Sequence, residues 1–259
     1  MQRQHFYFPY VVMAAVTVIC LLASAALDQP ISALLVTAAV MAVGGGTFFF
    51  IRGSGDLPLS VPVISAVSFT LVPMALTAGG ALFTQQLLTG PYRPLGMVTA
   101  SGGVLVLSYC QQVLARRRDG TPHAARLVTH LSVYLSVFLL FVAVENLPLR
   151  PLIRAVFVGS ISGLLSFELL RDALEDFGKA SLYGITITLV LSELSWSLDY
   201  LPLGHLMTSL LLLLAYYLVS GIVHNYLLRH LSRGVALEFL GVTAVSLAMI
   251  YGFQALGGR

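Results

Sequence analysis

The feature that most limits what this chain can become is its succession of apolar runs of about 18 residues or more, the length a helix needs to cross about 30 Å of hydrocarbon. A strand barrel would need alternating segments of about ten residues, and runs such as Leu210-Leu211-Leu212-Leu213-Leu214 do not alternate. Composition agrees. Of 259 residues, 58% are hydrophobic and 10% charged, with a mean hydropathy of +0.90. A soluble domain of this size carries about 25% charged residues, so no charged shell can be drawn from this chain. The expectation is an all-α, polytopic transmembrane helical bundle.

Nine spans are expected, near 10–27, 31–51, 59–83, 95–115, 127–145, 152–170, 180–198, 203–223 and 235–253. The third is interrupted by Pro62 and Pro73, and proline deletes a helical hydrogen bond. Residues 1–27 have the outline of a signal peptide, with Arg3, an apolar centre from Val11 to Leu22 and the small residues Ala23-Ser24-Ala25. They are read as a retained first helix. No stretch between spans is long enough for a soluble domain, so residues 1–259 are taken as a single transmembrane domain.

Orientation follows from the basic residues. With the N-terminus cytoplasmic, the inner side holds Arg3, Arg52, Arg116, Arg117, Arg118, Arg126, Arg171, Lys179, Arg229 and Arg233. The outer side holds Arg93, Arg150, Arg154 and Arg259. That positive-inside bias puts the C-terminus outside. It also accounts for the net charge of +3 without nucleic acid, which is not expected as a partner; the bilayer is. Arg116-Arg117-Arg118 forms a basic patch that sets topology.

Glu145-Asn146-Leu147-Pro148-Leu149 and Asp199-Tyr200-Leu201-Pro202-Leu203 resemble each other 54 residues apart, with Lys179 and Arg233 at the same offset. Each copy reads as helix, acid, proline turn, helix, a tandem hairpin repeat over 127–179 and 181–233. Pro30 and Pro91 mark similar turns in the first half. Four helical hairpins plus a ninth helix are expected. Both copies run in the same direction, unlike the inverted repeats of many transporters.

The seventh span is the most polar. Ser181, Thr188, Ser192, Ser195 and Asp199 follow helical steps and form one stripe, bordered by Glu193, so this helix is expected inside the bundle and the leucine-rich eighth toward lipid. Glu193 lies six residues before Asp199, about 9 Å deeper by helical rise. A carboxylate there costs about 2.5–3.5 kcal/mol on insertion scales unless it is paired or protonated. Arg154 is its expected partner, with Glu145, Asp199, His205 and Trp196 completing a candidate polar site at the outer side. Two readings stand side by side: a structural Glu193–Arg154 ion pair holding helices six and seven, or a site for a proton or small ligand.

Elsewhere, Glu168 and Arg171 can pair on one helix, and Glu238 can reach Arg233 or Arg229. His224, Asn225 and His230 do not share a helical face, and His130 reads as an interfacial histidine. Cys20 and Cys110 have no CxxC or zinc spacing, so no metal site is expected. Gly44-Gly45-Gly46, Gly79-Gly80, Gly102-Gly103 and Gly159-x3-Gly163 read as close-packing positions.

Glu193-Leu194-Ser195-Trp196, Asp199-Tyr200-Leu201-Pro202-Leu203, Tyr217-Leu218-Val219-Ser220-Gly221, Leu231-Ser232-Arg233 and Glu238-Phe239 together resemble a family of uncharacterised bacterial membrane proteins of Chloroflexi type. The resemblance covers residues 193–240. It implies a bacterial cytoplasmic membrane and brings no activity or cofactor with it. Small-residue faces, short loops and few ionisable groups point first to an accessory or scaffold subunit of a larger membrane complex, with other subunits or further copies as partners. A transporter or channel using Glu193 is the second reading. A membrane enzyme ranks last, because no HExxH, GxSxG or phosphate loop is present.

Overall fold

The computed structural model describes residues 8–27, 30–53, 63–116, 123–171 and 177–227, with isolated positions at 237, 241–244, 248 and 252. The described residues form eight helices: α1 (Phe8–Ala26), α2 (Ile31–Gly53), α3 (Val63–Leu87), α4 (Tyr92–Arg116), α5 (His123–Glu145), α6 (Pro151–Arg171), α7 (Phe177–Leu198) and α8 (His205–Leu227). There are no strands among them. The ninth expected span, 235–253, lies outside the described residues except for those isolated helical positions. Five helices are long and apolar enough to cross a bilayer, over Ile31–Phe49, Tyr92–Leu114, His123–Glu145, Pro151–Leu170 and His205–Leu227. The chain therefore has the helical build of a membrane protein. The polar helix α7 is outside that group.

The contacts gather into two compact units, residues 1–143 and 144–259. In the first, α1 packs on α2, α2 on α3, α3 on α4, and α4 returns to α1. Leu21, Val36, Ala39, Ala81 and Met97, drawn from all four helices, form its core, with Cys20, Ala25 and Val40 against it. Helix α3 runs through Pro73. A proline has no N–H to give its helix, but the Pro73 carbonyl accepts the Thr77 hydroxyl at 2.7 Å. This is the general device here. In hydrocarbon a hydroxyl must find its acceptor within the protein, and Thr17, Thr47, Ser101 and Ser136 all donate to the carbonyl four residues back.

Glycines set the helix spacing. Helix α2 is unbroken through Gly44–Gly46. A methyl group on Gly44 would come within 2.5 Å of Met74 Sδ, and one on Gly46 within 2.6 Å of Met13 Sδ. These glycines serve packing, with no break that would open carbonyls to a ligand. Gly79 backs onto Leu139 and Leu140, and Gly80 onto Ala100.

In the second unit α6 and α7 form the closest pair, and α8 touches both. A Cβ on Gly159 would overlap Ser192 Oγ and lie 2.7 Å from the Thr188 carbonyl. One on Gly163 would overlap Thr188 Oγ1 and lie 3.1 Å from the Gly184 carbonyl. The four-residue glycine spacing on α6 thus receives the serine and threonine stripe of α7. The two proline turns share their hydrogen bonds. The Leu147 N–H donates to the Val144 carbonyl at 3.1 Å and Leu149 to Leu147 at 2.7 Å; 54 residues on, Leu201 donates to Leu198 at 3.0 Å and Leu203 to Leu201 at 2.7 Å. Helix starts keep the same offset, His123 with Phe177 and Pro151 with His205.

Gly163→Leu should therefore force α6 away from α7 and cost about 1–3 kcal/mol or more, the range for overpacking. Gly45→Ala, with no heavy atom within 4 Å of the new methyl, should stay within about 0.5 kcal/mol of the parent. Thermal unfolding of both variants in one detergent checks the contrast, and equal melting temperatures would refute the close-packing role of Gly163.

Candidate functional site

The helix ends of the second unit bring three charges together. Glu145 is the last residue of α5 and groups with this unit. Arg154 lies in the first turn of α6, which opens on Pro151, where proline's fixed φ and missing N–H are tolerated. Asp199 follows α7 directly, its N–H given to the Ser195 carbonyl at 3.2 Å. Arg154 Nη1 contacts Asp199 Oδ1 and sits 3.5 Å from Glu145 Oε2. The three side chains are 14% (Arg154), 2% (Glu145) and 9% (Asp199) exposed.

Arg154 is thus partnered by Asp199 and Glu145, and the expected Glu193–Arg154 pair is not formed. The cause is geometric. Asp199 is one turn beyond Ser195 on the face of α7 that meets α6, and Ser195 itself is 1% exposed. Glu193, two residues earlier, points elsewhere and is exposed. It shares that exposed side with Leu189, Val190, Trp196 and Tyr200. The Trp196 and Tyr200 rings lie 6.4 Å apart. His205 opens α8, exposed, and its carbonyl accepts the Ser209 hydroxyl at 2.8 Å. Of the six expected site residues the structure joins Glu145, Arg154 and Asp199. Glu193 and Trp196 form a separate, exposed feature.

The cluster sums to one negative charge, and several of its atoms have no hydrogen-bond partner: Glu145 Oε1, Arg154 Nε and Asp199 Oδ2, with Ser195 Oγ close by in sequence. Such an arrangement can hold a proton or a polar group. Among the described residues no three of His, Cys, Asp or Glu gather as a metal ion would require.

The polar stripe of α7 is half-buried or buried against α6, as expected, while α8 buries Thr208, Ser209, Leu212, Tyr216, Ser220 and Gly221 and keeps its leucines only partly covered. Toward the opposite helix ends, Glu168 is 3% exposed. The side chain of Arg171 lies outside the described residues, as do Arg229, His230, Arg233 and Glu238. Asn225 donates to the Gly221 carbonyl at 2.9 Å. Gln111 and Gln112, both buried on α4, were not singled out from sequence. Two adjacent amides inside an apolar run are the signal that could have found them. Gln85 Nε2 donating to Ser24 Oγ at 3.2 Å, a polar tie between α3 and α1, carries no such signal.

A multi-helix membrane protein with one small ionic cluster at its helix ends is the class these features define. The chain belongs to a family described as protein of unknown function (DUF5656), matched over residues 14–252, far beyond the segment 193–240 from which a resemblance was read. No match was found among curated proteins or among solved structures.

Removing the cation should be the costliest change at this site. Arg154→Met leaves two buried carboxylates facing each other, and breaking a buried pair costs about 3–5 kcal/mol. Glu193→Gln should cost about 0.5 kcal/mol or less in the isolated chain. A double-mutant cycle in detergent should couple Arg154 to Asp199 by about 0.5–3 kcal/mol and leave Arg154 and Glu193 additive. Coupling to Glu193 instead would overturn this arrangement.

Proposed function

We propose that this chain is an accessory or scaffold subunit of a larger complex in a bacterial cytoplasmic membrane, and that the exposed face of α7 is where another subunit binds. Glu193 carries the reading. It stands among exposed Leu189, Val190 and Trp196, about 9 Å from the end of the helix by rise. A carboxylate facing lipid at that depth costs about 2.5–3.5 kcal/mol on insertion scales. A neighbouring helix that presents an arginine, a lysine or a strong hydrogen-bond donor removes that cost, and charge complementarity of this kind selects one partner over others. The fitting partner is a membrane subunit with a basic or donor side chain at the depth of Glu193.

The membrane arrangement belongs to the same proposal. The N-terminus is cytoplasmic, nine spans form four hairpins and a final helix, and the C-terminus is outside. The basic-residue bias supports the orientation. The matching bonds of the turns at 144–149 and 198–203 support a tandem hairpin duplication. In the first unit Thr17 and Thr77 each donate to a carbonyl four residues back, Met13 and Pro73, and Ser24 and Thr84 to one three back, Leu21 and Ala81. These pairs all lie 60 residues apart, which extends the duplication to α1 and α3. The chain is not proposed to be an enzyme. A transporter or channel is the second reading, favoured by the Arg154 cluster; its centre would be Glu145, Arg154 and Asp199, with Glu193 outside it.

Gentle extraction from native membranes followed by native mass spectrometry tests the subunit reading. A stoichiometric membrane partner should accompany the chain, and Glu193→Gln should weaken its retention about tenfold, equivalent to ~1.4 kcal/mol. A photocrosslinker at Leu189 should capture the same partner, and one at the fully buried Leu191 should not. A chain that migrates alone in every preparation sinks the subunit reading. It would turn attention to uptake assays on Arg154-cluster variants.

A further inference from the structure

The surplus charge of the Arg154 cluster leads beyond a scaffolding role and does not depend on it. Two carboxylates meet one guanidinium nitrogen, Asp199 through Oδ1 and Glu145 through Oε2. Their other oxygens, Asp199 Oδ2 and Glu145 Oε1, are buried and accept no hydrogen bond. Glu145 is 2% exposed. One turn before Asp199, on the same side of α7, Ser195 is 1% exposed and its Oγ is also unpartnered. Buried polar atoms without partners are uncommon and call for an explanation. Here four of them, Arg154 Nε included, belong to one cluster and its adjoining turn.

We propose that Glu145 and Asp199 form a one-proton binding site. A hydronium ion gives its proton to Glu145 Oε1 and leaves as water. The new O–H can donate to Asp199 Oδ2, so one proton provides for both orphaned oxygens. The cluster goes from a net charge of minus one to neutral, and the repulsion between two carboxylates on a shared cation is removed. Arg154 then serves two acids of which one is neutral, a balanced arrangement in a low-dielectric setting. Ser195 Oγ, as donor or acceptor, is placed to join the same network.

The ionisable surroundings fit a site that acts by itself. From α5 only Glu145 takes part. Helix α6 brings Arg154, with exposed Arg150 in the turn before it. Helix α7 leads into Asp199 and keeps Glu193 on its exposed face. Helix α8 opens with exposed His205, and exposed Tyr200 lies in the intervening turn. Among the described residues of this unit, Arg154 is the cation with side-chain ion pairs to the two acids. The repeat explains how the pair arose: Glu145 and Asp199 hold equivalent places in the two turns, while the position matching Arg154 in the second copy is Thr208. Duplication doubled the acid and left a single base.

The test is infrared difference spectroscopy on the full chain in lipid nanodiscs, titrated from about pH 8 to about pH 5. A protonated-carboxyl C=O band should be present in the parent. It should be lost in Glu145→Gln, shifted or lost in Asp199→Asn, and unchanged in Glu193→Gln. Arg154→Lys keeps the charge and should retain the band at a shifted frequency, which guards against a Glu145→Gln chain that fails to fold. No carboxyl band anywhere in the titration would overturn the proposal. So would a band that survives unaltered in folded Glu145→Gln and Asp199→Asn proteins.

Discussion

Hydrocarbon offers no hydrogen bonds, so every polar atom this chain carries into its spans has to be met by the chain itself. The order of the structure follows from the ways it does so. Hydroxyls fold back on the carbonyl one turn earlier, as Thr17, Thr77 and Ser162 do. This costs no tertiary partner and frees the helix surface for packing. Small residues then set how closely the helices approach. Gly159 and Gly163 let α6 settle on Thr188 and Ser192 of α7, and that crossing delivers Arg154 to Asp199. The ionic cluster depends on the glycine seam: widen the seam, and two acids lose the base that makes their burial tolerable.

The same constraint separates the two carboxylates that the sequence treats alike. Asp199 and Glu193 are six residues apart, about one and two-thirds turns at 3.6 residues per turn. Where one faces α6, the other cannot. Asp199 is within the protein's own provision for charge, and Glu193 is beyond it. In a soluble protein an exposed glutamate needs no explanation. In a membrane span, flanked by exposed Leu189 and Val190, it poses the question of what covers it, and a second subunit is the answer with the right chemistry.

Much of this was legible in the residues. Helix positions follow from hydropathy because span length is fixed by bilayer thickness; α5, expected at 127–145, ends at Glu145, and α7, expected at 180–198, ends at Leu198. The Gly159–Gly163 spacing announced a close approach, and the stripe from Ser181 to Asp199 announced the face that makes it. Partner choice was not legible. Depth along a helix can be counted from sequence, so Glu193 and Arg154 looked matched; azimuth relative to a neighbour depends on the crossing, which no single helix encodes. Glu145 was placed at the right level but its deep burial was not foreseen, because a helix-terminal acid beside a proline turn ordinarily reads as exposed. The tie between Gln85 and Ser24 was invisible for the same reason as Arg154's true partners: it joins residues 61 apart in the chain whose meeting is a property of the packed bundle.

The repeat gives the cluster its logic. A duplicated hairpin brings its polar residues along in equivalent places, and two acids at equivalent turn positions approach each other when the hairpins pack side by side. Left alone, they would repel. One copy answers with Arg154, the other has Thr208 at that position, and a symmetric solution with two arginines would have given a neutral, fully paired network. The asymmetry leaves one charge over in a place where charge is expensive. A purely structural cluster has no reason to keep that excess, since replacing either acid by its amide would remove it while preserving the shape. Its retention in a buried position makes sense if the acid pair is meant to gain and lose something, and a proton is the smallest species that balances it.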